Sequence, residues 1–108
     1  MAIRDLVLTH YQAETVLAPV KGVVRETVRI TVFGPNFPER AVIPEILVGE
    51  TPAEGVSVAR DQGSIRGFLP QLPADGAPIR VRYGGSQEGI LRETFRRDQV
   101  RPLPKECQ

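Results

Sequence analysis

The sequence predicts an all-β protein, an antiparallel sandwich or barrel of about seven strands, and three observations predict it. Ten Gly and ten Pro are spread along 108 residues, so few windows reach the roughly ten uninterrupted residues that a helix needs. In VVRETVRITVF (residues 23–33), Val24, Val28, Ile30 and Val32 fall on one face and Arg25, Thr27, Arg29 and Thr31 on the other. That period of two, carried by β-branched residues, is the pattern of a half-buried strand. Clusters of turn formers then recur about every eight to twelve residues, the spacing of a sandwich.

The elements follow in order. IRDLVL (residues 3–8) is read as the first strand, with Ile3, Leu6 and Leu8 as core residues. After 23–33 comes GPNFP (34–38), where two prolines forbid both helix and central strand. Gly34 is expected to end the strand at positive φ, Pro35 to preset a turn and Asn36 to hydrogen-bond its own backbone. Pro38 holds Phe37 extended, and Phe37 then plugs the open end of the sandwich. AVIPEILV (41–48), interrupted by Pro44, reads as a strand with a bulge or at an edge.

Val56 and Val58 in VSVAR, then Ile65 and Leu69 in SIRGFL, supply two more strands, separated by turn clusters GETPAEG, RDQG and PQLPADGAP. IRVRY sets Ile79, Val81 and Tyr83 against Arg80 and Arg82. The loop GGSQEG joins it to ILRETF, where Leu91 and Phe95 oppose Arg92 and Thr94, so these two strands form a hairpin. The end, RRDQVRPLPKECQ, reads as exposed and partly extended. One domain over residues 1–100 and a tail over 101–108 are expected.

Several pieces in this order resemble the IPT/TIG family of immunoglobulin-like domains. They are Val32-Phe33-Gly34 with Asn36-Phe37, Val48-Gly49 with Thr51-Pro52-Ala53, Ser64-Ile65 running to Leu69-Pro70, and Asp75-Gly76 before Ile79-Arg80-Val81. The match spans residues 28–83 and departs from the family in two places: Ala18-Pro19 only loosely meets the proline-led entry, and Pro44-Glu45 looks inserted. The resemblance implies an immunoglobulin-like antiparallel β-sandwich that serves as a spacer or protein-interaction module, with a bacterial protein as the expected setting. Because the family also occurs beside glycan-active domains, a carbohydrate-binding or enzyme-accessory role is the alternative, for which only Tyr11 and Tyr83 are available to stack on sugar.

Fourteen Lys+Arg against thirteen Asp+Glu leave a net charge of +1, too balanced for binding that rests on phosphate neutralisation, so no nucleic-acid partner is implied. No stretch reaches the apolar length of a membrane span. Cys107 is the single cysteine, excluding an intrachain disulfide and a cysteine-based zinc site. His10 is the single histidine and has no nucleophile motif near it, so no catalytic residue and no enzyme activity are expected. The carboxylates Glu39, Glu45, Glu50, Glu54, Asp61 and Asp75 lack the spacing of a calcium loop, and neither a metal nor a cofactor is expected.

Twelve of the cations are Arg, and Arg80, Arg82 and Arg92 are expected to share the outer face of one hairpin, with Glu88 and Glu93 nearby. This stripe is the candidate binding surface for an acidic protein partner; the bland reading is a solvated face that guards a sheet against aggregation. A free edge strand, with residues 90–95 as the candidate, is the other surface for an interaction module, and a homodimer through an edge strand is a further possibility that no residue pattern indicates. Localisation is cytoplasmic if the chain is complete, and cell-surface or periplasmic if it is an excised or processed domain.

Overall fold

The computed structural model describes residues 7–20, 22–34, 44–59, 63–83 and 87–102. Their strands are β1 (His10–Val20), β2 (Val23–Phe33), β3 (Glu45–Val48), β4 (Thr51–Pro52), β5 (Glu54–Val58), β6 (Ser64–Leu69), β7 (Pro78–Tyr83), β8 (Gln87–Thr94) and β9 (Val100–Arg101), with a 3-10 turn at Arg97–Gln99. Five form one sheet in the order β5-β6-β2-β1-β9, and four form a second in the order β4-β3-β7-β8. All pairings are antiparallel except the short one between β1 and β9. The protein is an all-β sandwich, as its alternation and turn spacing predict.

The core lies between the sheets and follows the period of two. Ile30 and Val32 of β2, Ile65 and Leu69 of β6, Ile46 and Val48 of β3, and Ile79, Val81 and Tyr83 of β7 are all buried. Leu91 and Phe95 complete it from β8 and the residue just past it, and Tyr11 and Ala13 from β1. Small residues, Ala13 and Gly67, pair with Ile30 on either side. Gly67 is glycine for a packing reason: a Cβ there would meet Ala53 Cβ and Val56 Cγ2 at 3.0 Å, where the chain leaves β4 and crosses to β5 in the other sheet.

Two differences from the sequence reading concern the first strand. Val7 and Leu8 are not in a strand, Ile3 and Leu6 lie outside the described residues, and the strand is instead β1, starting at His10. It folds back on β2 along its whole length, closing at Val20 and Val23 around residues 21 and 22. Gly22 takes φ +82° there, the left-handed conformation that a two-residue hairpin turn demands.

Pro44 precedes β3 rather than interrupting it, a position where its missing N–H costs no ladder bond. GETPAEG is more than a turn, since Thr51 and Pro52 pair with β3 and Glu54 begins β5. Gly34 does not take positive φ; it extends the ladder to β6 by donating its N–H to the Gly63 carbonyl at 3.2 Å. Pro35, Asn36 and Phe37 lie outside the described residues.

The segment after β8 is docked rather than loose. Tyr11 is the pin: its hydroxyl accepts the Arg96 N–H at 3.0 Å, with the Thr94 carbonyl at 3.3 Å and Gln99 Oε1 at 3.2 Å as acceptors for its own hydrogen. Asp75 Oδ1 accepts the Arg97 N–H at 2.6 Å, and Arg97 Nε donates to the Pro73 carbonyl at 2.9 Å. Val100 then packs on the core and pairs with Ala13, and Arg101 with Glu14.

Candidate functional site

The predicted arginine stripe exists in part. Arg80 and Arg82 stand half-buried on the outer face of β7, with the buried Ile79, Val81 and Tyr83 alternating behind them. Register decides their surroundings. Arg82 faces Glu45 on β3 and Glu88 on β8, and its Nε lies 3.4 Å from Glu88 Oε2, an ion pair without hydrogen-bond alignment. Arg80 instead faces Leu47 and Ile90, with its Nε buried and no hydrogen bond or ion pair among the described residues.

Arg92 is exposed but lies beyond the irregularity between Pro78 and Arg80 and has no cross-strand partner in the β7 ladder. The three arginines are therefore one balanced charge, one cation in an apolar row and one solvated cation, rather than a continuous basic stripe. β8 is an edge strand of its sheet.

A second surface was not apparent from the sequence. β6 pairs with β2 only over Val28–Phe33, and β9 pairs with β1 only at Ala13 and Glu14. Among the described residues, 15–20 and 23–27 therefore form a two-stranded arm that outruns the sheet on both sides. At its foot the buried Thr27 hydroxyl donates to the Leu69 carbonyl at 2.9 Å, just where Pro70 ends β6. The arm carries exposed apolar side chains, Leu17 at 62%, Val23 at 62% and Val24 at 66%, while Ala18 and Thr27 are buried. Leu17 and Val24 lie on the side continuous with the core, and Val23 on the other, by the alternation of the register. Beneath the core side opens a groove of about 420 Å³ lined by Val28, Leu72, Val100 and Pro102, with Glu26 and Arg97 supplying charge.

The hydrogen-bonding direction of the arm follows from one bond. Gly34 donates across to Gly63, so the even-numbered residues of β2 address β6 and the odd-numbered ones address β1. Through the β1–β2 register the even-numbered residues of β1 answer β2. The backbone groups of Thr15, Leu17 and Pro19 are thus directed to the β9 side, where Arg101, opposite Glu14, takes up the Thr15 N–H and no described residue covers Leu17 and Pro19. Pro19 has no N–H to waste there, the edge position at which a strand proline is tolerated.

The other chemistry-bearing residues fall into structural places. His10 is exposed, hydrogen-bonded through Nδ1 to Thr9 Oγ1 at 2.9 Å and stacked on Phe33 with ring centroids 4.4 Å apart. Tyr11 and Tyr83 are both core residues, which removes them as a surface for stacking on sugar. Among the described residues no three His, Cys, Asp or Glu are grouped to hold a metal ion. No helix among them is long and apolar enough to cross a membrane.

The fold and this surface together define an all-β sandwich domain bearing an apolar two-stranded arm. No family model, curated protein or solved structure matches the chain.

Proposed function

We propose that the chain is a non-catalytic immunoglobulin-like module, of the kind its sequence resembles, whose work is to hold protein partners. The strand order supports this reading. β1-β2-β6-β5 facing β3-β7-β8 corresponds to the A-B-E-D and C-F-G sheets of that fold, with β4 as an added strand beside β3. The observation that carries the function is the arm. Leu17, Val23 and Val24 stand in water on a hairpin that, among the described residues, projects past both neighbouring strands. Clustered exposed apolar groups and an open strand edge are the two features by which a sheet surface recruits another chain.

A photo-reactive amino acid in place of Val24, with the exposed turn residue Glu50 as control, tests this in cells of the source organism. A protein adduct of defined mass from position 24 and none from position 50 is expected. No adduct from position 24, or the same adducts from both, would overturn the reading.

A further inference from the structure

We propose that the residues following β9 continue it along β1, parallel and in the register that β9 has begun, so that the backbones of Leu103 and Lys105 bond to those of Thr15 and Leu17. The proposal goes beyond the contact-module reading: it assigns the β1 edge of the arm to this chain itself and leaves the β2 edge, residues 23–27, to a partner. The register sets every later position. Ala13 faces Val100 and Glu14 faces Arg101, so in continuation Thr15 faces Pro102, Val16 faces Leu103 and Leu17 faces Pro104.

Backbone direction decides what each residue then does. Arg101 addresses β1, its carbonyl accepting the Thr15 N–H. By the alternation of a strand, Leu103 and Lys105 address β1 as well. The Leu103 N–H then donates to the Thr15 carbonyl, the Leu17 N–H to the Leu103 carbonyl, and the Lys105 N–H to the Leu17 carbonyl. The ladder ends at Pro19, which has no N–H for the Lys105 carbonyl.

The prolines fit this phase and no other. Pro102 and Pro104 fall on the positions turned away from β1, where a missing N–H breaks no bond and denies a further strand the donors it would need. Displaced by one residue, both would face β1 and two of its carbonyls would lose their donors. Each proline also restricts the residue before it to extended backbone, so Arg101 and Leu103, which address β1, are held in the conformation the ladder requires. The side chains agree with this placement. Val100 packs on the core, and Pro102, two residues on, lines the groove with Val28 and Leu72; Pro104 follows on the same face, beside the exposed Leu17. A second copy of the chain would find the Thr15 N–H already engaged and only the Leu17 N–H to bond before Pro19. The segment attached to β9 reaches the same groups from the next residue, with no loop to close.

Amide hydrogen exchange of the full chain, followed residue by residue over a dilution series, tests the pairing in the native protein, in Leu103→Pro and in Pro104→Ala. Exchange at Ile30, buried in the core, reports that each variant keeps the fold. The native protein is expected to protect the Leu17, Leu103 and Lys105 amides to the same degree at all concentrations. Leu103→Pro removes the donor to Thr15 and should lose the protection at Leu17 and Lys105, whereas Pro104→Ala alters a position turned away from β1 and should keep it. Leu17 exchanging as in an unfolded chain overturns the pairing. So does protection there that rises with concentration, which assigns the edge to a second copy, or protection that survives Leu103→Pro. A loss in Pro104→Ala as complete as in Leu103→Pro overturns the register. Should Leu103→Pro disturb Ile30, the native pattern and Pro104→Ala decide the matter. The Val24 adduct is read on the other edge of the arm, so this pairing and the contact-module reading stand or fall separately.

Discussion

The Tyr11 hydroxyl joins β1 to the segment that follows β8. Tyr11→Phe keeps the ring against Phe95 and removes only those bonds, leaving the Arg96 N–H without its acceptor. A loss of about 1–2 kcal/mol in unfolding free energy is expected, measured as a lower urea midpoint at unchanged slope. Burial pushes the Tyr11 hydroxyl above its usual 10.0, the accepted Arg96 N–H only partly offsetting it. The folded state therefore holds this proton more tightly than the unfolded state. Its stabilising effect is complete below pH 10 and is lost as pH rises through the folded value. The native protein should lose stability above pH 10 more steeply than Tyr11→Phe, a difference that thermal melts between pH 9 and 11 read out. Equal slopes would remove Tyr11 from the alkaline transition.

At the scale of elements, the passage from β4 to β5 lies so close over Gly67 that there is no room for a side chain beneath Ala53 and Val56. Gly67→Ala should cost about 1–3 kcal/mol, the range of an overpacked core, and denaturant unfolding measures it. An unaltered midpoint would mean that this crossing yields without strain. The strands that a single sequence reveals are those whose apolar and polar residues alternate, central like β7 or at an edge like β8. β1 was hidden: in HYQAETVLAPV Tyr11 and Ala13 turn into the main core, but further along Leu17 on that same face is exposed while Ala18 on the opposite face is buried, so no period of two survives. The signal that could have found it is the Lys21-Gly22 pair between two valine-bearing runs.

Val24 illustrates the same limit from the other side, since its spacing assigns it to the core while β2 has already outrun β6. The outward facing of Arg80, Arg82 and Arg92 was legible from alternation. Their neighbours were not, because Glu45, Leu47 and Ile90 reach them through register across strands distant in sequence.

For the whole molecule, extents of 54 × 28 × 25 Å describe an elongated body. A surface built from apolar side chains and backbone groups responds weakly to salt, and a net charge of +1 adds little long-range repulsion. The central claim, that the arm is a surface at which this chain holds another protein, is tested most directly by photo-crosslinking from position 24, where the valine is 66% exposed, at low and high salt. The account predicts an adduct of defined mass at both salts from position 24 and none from position 50. No adduct from position 24, or one that disappears in high salt, would contradict it.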